Sequence, residues 1–153
     1  MNERTATELA GYWLAAHNQP NGGPLNLRSV LAGELQAGFP DPELHGIAEF
    51  TGVPCLLVIA GETLLVASAA FDPEQLAVVE MRVLPLLPRP AIRVTSTTSA
   101  DGTLKRRDWQ LTPATGEPVV LTTTEIVRAT FAVDARPDTG ELLMRAVVSR
   151  MAA

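Results

Sequence analysis

From Pro54 to Phe71 the chain shows almost no alternation between apolar and polar positions. Two apolar runs, Pro54–Ala60 and Leu64–Phe71, are parted by Gly61-Glu62-Thr63. Short Val-, Leu- and Ile-rich runs on either side of a glycine-bearing turn predict an antiparallel hairpin. A strand with one wet face alternates, and neither run does, so both faces of this hairpin are expected to be covered. The span Val53 to Phe71 is long enough in principle to cross a bilayer. Glu62 would then lie mid-membrane, and Pro54 and Gly61 interrupt the helical pattern, so the pattern favours a hairpin and no membrane insertion.

Elsewhere the periodicity changes. Leu9, Trp13 and Ala16 recur at helical spacing, with Tyr12 beside them, and predict an N-terminal helix over 1–18. Asn18 to Pro24, dense in Asn, Gly and Pro, ends it and predicts a linker at 19–24. Leu25 and Leu27 alternate with polar neighbours as a short strand would, or Ser29 caps a short helix through Leu35. Phe39-Pro40-Asp41-Pro42-Glu43 is a turn or a helix start.

After the hairpin, Asp72-Pro73-Glu74-Gln75 carries a helix-start signature, with Asp as N-cap and Pro at the first position. Leu76, Val79, Val83 and Leu86 follow at steps of three and four, predicting a helix over Asp72–Leu87 that Pro85 and Pro88 end. Strands are expected from Ile92 through Thr98, over Leu104–Leu111 after an Asp101-Gly102 turn, and at Val119–Leu121. Thr122 and Glu125 have capping-box spacing before Ile126–Val133, a β-branched run that is helix or strand. A last helix, Glu141 to Met151, has Leu143, Val147 and Met151 as its apolar stripe and an i,i+4 pair between Glu141 and Arg145.

This order predicts a single α+β domain over 1–153, with 25–153 as a core of mostly antiparallel sheet and packed helices. A length of 153 residues suits one domain with a sizeable core. The net charge of −5 disfavours a nucleic-acid surface, which needs a dense basic field. One cysteine, Cys55, excludes an intrachain disulfide. No basic stretch precedes an apolar one at the N-terminus, so no secretory signal is expected and the cytoplasm is the default compartment.

Candidate chemistry is sparse. Cys55 lies in an apolar run without a nearby cation and reads as a small buried hydrophobe. His17 and His45 lack a partner at metal spacing, apart from a loose Asp41/Glu43/His45/Glu49 group that reads as solvated loop. No G-x-S-x-G, G-x-G-x-x-G or G-x-x-x-x-G-K-[ST] signature is present, so no catalytic residue, cofactor or metal is assigned. The local feature that remains is Lys105-Arg106-Arg107-Asp108-Trp109. Its three cations could grip an acidic peptide or an anion with Trp109 as anchor, or charge could simply protect an exposed strand.

The segment from Gly52 to Pro90 resembles the core of a small bacterial family typified by YjfI. The resemblance rests on Gly52-Val53-Pro54, the Gly61-Glu62 turn and Leu84-Pro85-Leu86, and implies a strand, a turn, a second strand and a helix closing on the Leu-Pro-Leu motif. The element order also resembles type III secretion chaperones, small dimeric α+β proteins that bind partner segments without chemistry. Together these imply a bacterial origin and a non-enzymatic, chaperone- or adaptor-like protein that binds another protein or itself as a homodimer. Leu57, Ile59, Leu65 and Ala67 of the hairpin are the candidate face for that contact. The alternative from another class is a pleckstrin-like lipid- or phosphate-binding module, with successive strands over 54–121, a closing C-terminal helix, and Lys105-Arg106-Arg107 on the anion. Asp72–Leu87 discriminates the two: helix for the first, strand for the second. An enzyme whose site assembles from distant residues is a third reading.

Overall fold

The computed structural model describes residues 1–17, 27–126 and 139–152. Two helices, α1 (Glu3–His17) and α2 (Leu27–Gly38), precede seven strands, and a third helix, α3 (Thr139–Ala152), follows them. The strands are β1 (Leu44–Phe50), β2 (Val53–Ala60), β3 (Thr63–Phe71), β4 (Ala77–Pro85), β5 (Ala91–Thr98), β6 (Leu104–Thr112) and β7 (Val119–Ile126). They form one antiparallel sheet in the order β4-β3-β2-β1-β7-β6-β5, as the α+β class requires. The linker expected at 19–24, and residues 127–133 of the β-branched run, lie outside the described residues.

The hairpin is where it was expected, and both of its faces are covered by the chain itself. Even-numbered Leu56 and Val58 of β2, with Leu65, Ala67 and Ala69 of β3, pack under α1 and α2 against Leu9, Trp13, Leu31 and Leu35. Leu57, Ile59, Leu64 and Val66 point the other way. They join Trp109, Leu111, Val119 and Leu121 of β6 and β7 and Leu143, Met144 and Val147 of α3 in a second core. Leu57, Ile59, Leu65 and Ala67, expected to face a second copy, are at most 2 % exposed. That expectation is corrected: alternation sends two of them under α1 and α2 and two under α3, leaving no surface for a partner.

Residues 72–87 are not a helix. Asp72 Oδ1 accepts from the backbone N–H groups of Glu74 and Leu76, at 2.9 and 2.8 Å, so the carboxylate that resembles a helix cap closes a turn. Gln75 takes a left-handed φ of 65°, which ends any helical path. From Ala77 the chain pairs with β3 at nine successive positions, Phe71↔Ala77 through Thr63↔Pro85. Without that ladder the outer backbone groups of β3, largely buried, would lack partners. Ala77, Val79 and Met81 then lean on the α1–α2 core.

Three further readings are revised. Residues 27–38 are helical throughout, so Ser29 lies inside α2 and does not cap it. Residues 44–50, assigned no element from sequence, form β1 at the centre of the sheet, because β2 needs a partner on its other edge. Thr122 and Glu125 lie within β7, opposite Asp108 and Lys105, and cap nothing. The Asp101-Gly102 turn is present, with Gly102 at φ 76°. Asp101 accepts from the Ser99 hydroxyl and from both the backbone N–H and hydroxyl of Thr103, which pulls its carboxyl down to about 2.

Two docking contacts fix the helices. Trp13 Nε1 donates to the Pro54 carbonyl at 3.0 Å, tying α1 to the start of the hairpin. The first turn of α3 crosses β1 so closely that a Cβ on Gly140 would fall on the Ile47 carbonyl oxygen, and one on Gly46 would meet the Thr139 carbonyl. Only glycine permits that approach.

Because the two cores are separate, Leu56→Ala and Leu57→Ala are each expected to cost about 3 kcal/mol, although the residues are adjacent. Urea unfolding of the two variants checks this. One of them at wild-type stability would mean that its face is not covered.

Candidate functional site

Strand alternation divides the basic run of β6. Lys105, Arg107 and Trp109 share the face that α3 covers, while Arg106 and Asp108 point to the opposite side. Arg106 and Asp108 form an exposed pair at 3.7 Å. Trp109 is 5 % exposed and sits in the core, its indole N–H donating to Thr123 Oγ1 at 2.9 Å. As a buried core residue it offers no face to a partner.

Arg107 is the hub of a small ionic network. One of its terminal nitrogens donates to Glu125 Oε2 and to Glu141 Oε1, both at 2.8 Å. Glu141, in the first turn of α3, is 1 % exposed. Its Oε1 also accepts from Arg145 Nε at 3.1 Å, the i,i+4 pair expected from sequence, and its Oε2 accepts from Thr123 Oγ1 at 2.7 Å. Arg145 approaches Glu125 at 3.9 Å. Two carboxylates and two guanidinium groups thus balance one another, and the carboxylate of Glu141 sits where the N-terminus of a helix favours negative charge. The Arg107 hydrogen bond holds the Glu125 carboxyl below the usual carboxylate range, with burial working against it and the Arg107, Arg145 and Lys105 charges working with it.

The chemistry of this arrangement is attachment. It clamps α3 onto β6 and β7 and leaves Lys105 and Arg106 as the cations of the run outside the clamp. The three cations do not converge on one anion site, because the middle of the run projects away from its neighbours and Arg107 already has two carboxylates.

The other expected residues are placed plainly. Cys55 is buried at 3 % exposure, and burial pushes its thiol up, so it is a neutral thiol at ordinary pH. His45 packs edge-on against Tyr12, with ring centres 5.2 Å apart. Glu43, from the loose acidic group, pairs with Arg150 of α3 at 2.6 Å and accepts from the Gly61 N–H at 2.8 Å. Among the described residues no three His, Cys, Asp or Glu side chains group as metal ligands, and no helix is long and apolar enough to cross a membrane.

Sequence reasoning expected a strand from Ile92 through Thr98 but gave the outer strand β5 no functional role. It pairs with β6 at eight successive positions, Ala91↔Thr112 to Thr98↔Lys105, and among the described residues no strand pairs with its other edge. Ile-Arg-Val-Thr-Ser-Thr-Thr carries one charge and no internal Pro or Gly, and nearly all of its residues are exposed, Val94 at 45 %. Edge strands are commonly broken by charge, proline or a bulge; here Arg93 is the strand's one charge, and the denser charge lies on the neighbouring β6. The β-branched composition was the signal available in sequence, but an edge position becomes visible only with the strand order.

Compared with protein-family models, with curated proteins and with solved structures, the chain shows no significant match.

Arg107→Ala leaves Glu141 buried with half of its counter-charge gone and is expected to cost about 3 kcal/mol. Lys105→Ala, outside the clamp, should stay within about 0.5 kcal/mol of wild type. Glu125 has a lowered folded value, so its contribution is present above the ordinary 4.5 and is lost as pH falls through that lowered value. Stability measured against pH should therefore drop less steeply below 4.5 in Arg107→Ala than in the wild-type protein.

Proposed function

We propose that this protein is a non-enzymatic binding module of the cytoplasm, adaptor- or chaperone-like, which holds an extended segment of another protein along the outer edge of β5. The observation that carries the reading is that edge itself: eight residues in unbroken register with β6, weakly charged and exposed. A strand added there would satisfy its backbone hydrogen bonds, while Val94 and its neighbours contact alternate side chains of the guest. A second copy pairing β5 to β5 would give a homodimer by the same means. The contact lies away from the hairpin, whose faces are filled by α1, α2 and α3.

The strand at 77–85 is the outcome that favours a pleckstrin-like lipid- or phosphate-binding module over the first reading, which therefore rests on the β5 edge alone. Residues 77–85 are strand, and seven strands in succession lead to a closing C-terminal helix. Against it, Arg107 is committed to Glu125 and Glu141, which leaves Lys105 and Arg106 for an anion on a chain of net charge −5.

Photo-crosslinkers placed singly at Thr95 and Thr97, in the native cells, test the first reading. The expected products join β5 to one contiguous stretch of a single partner, or to β5 of a second copy, and solution mass separates these. Crosslinks absent at β5, together with flotation on anionic vesicles that Lys105→Ala/Arg106→Ala abolishes, would establish the second reading instead.

A further inference from the structure

On the face that carries α3, but at the end of the sheet where β1 turns into β2, the strands leave a pocket of about 310 Å3. Register builds it: Ala48 pairs with Cys55 and Phe50 with Val53 across β1 and β2, while Ser68 pairs with Glu80 and Ala70 with Val78 across β3 and β4. Val53, Ala70 and Val78, with Phe50 alongside, give apolar walls; Cys55 and Ser68 lie deeper; Glu80 and Asp72 bring two carboxylates. Among the described residues no Lys, Arg or His lines it.

The charges decide what such a pocket takes. Asp72 spends Oδ1 on the Glu74 and Leu76 N–H groups. The thiol at the base adds no charge, since burial raises it and the Glu80 charge raises it further. Arg82 stands two residues on from Glu80 along β4. Its guanidinium is held over the Phe50 ring, 4.9 Å from the centre, against one wall of the pocket. A volume at the small end of ligand sites suits a compact guest with a short apolar body.

We propose that this pocket binds a small organic cation, an alkylammonium with a short apolar tail, with Glu80 as its principal counter-charge and Phe50 and Val78 against the tail. The site is independent of the β5 edge: it lies on other strands and needs no partner protein.

The test is a titration of the 15N-labelled full chain with phenethylammonium and, separately, with 3-phenylpropionate, which has a similar body and the opposite charge. The ammonium should give saturable shifts at Cys55, Ser68, Ala70 and Glu80, and the carboxylate none. Glu80→Gln, at an exposed position on an edge strand, should keep the wild-type melting temperature and weaken the ammonium by at least about tenfold. Arg82→Gln should leave binding unchanged or tighten it, because a like charge is removed. The proposal is overturned if the ammonium gives no saturable shift, if the shifts map elsewhere, or if Glu80→Gln binds as the wild type does. Binding of the carboxylate that Arg82→Gln abolishes would overturn it too, and would make the pocket an anion site.

Discussion

A β-hairpin without a polar face cannot be left half-covered in water, and the architecture is arranged around that requirement. Residues 55–59 and 64–67 are buried without interruption, so each successive side chain needs apolar company on the opposite side from the last. Helices that precede the sheet in sequence supply one cover and the helix that follows it supplies the other. Covering both edges matters equally. β1 and β4 take up the backbone hydrogen bonds of β2 and β3, which is why a segment with a convincing helix start at Asp72 becomes a strand. Local propensity, worth fractions of a kcal/mol per residue, yields to a nine-position ladder beside the buried core.

The same requirement changes the meaning of the basic run on β6. Seen as sequence, Lys105-Arg106-Arg107 is a patch of positive charge on an acidic protein. Seen on a strand, it is split between two faces, and the face that carries Arg107 is the one α3 must close. The guanidinium is consumed in fixing that helix, aided by Trp109 through Thr123 and by the glycine contact between β1 and α3. A motif that resembled a recognition element is mainly an anchor. What remains for recognition are the features the cores do not use: the outer edge of β5, and the recess at the far end of β1–β4 with its two carboxylates.

Several elements were legible from the order of residues alone. The hairpin, the first and last helices, the β5–β6 turn at Asp101-Gly102, the Glu141–Arg145 pair and the inert burial of Cys55 all follow from local rules: period, turn chemistry, i,i+4 spacing and the absence of a nearby cation. The failures share a cause. Asp72, Thr122 and Glu125 have the side chains of helix caps, yet the same oxygens serve a turn or a strand equally well, and choosing among these is not a local decision.

The sequence by itself determined that the Pro54–Phe71 ribbon must be enclosed on both sides, because apolar residues at consecutive strand positions leave no side that water can wet. Which groups enclose it was decided by tertiary structure, since a helix of this chain and a second molecule satisfy the same hydrophobic demand and are indistinguishable in the pattern. Only the fold, by bringing Gly140 against Ile47 and Glu141 against Arg107, made α3 the cover and, among the described residues, left β5 as an open edge of the sheet.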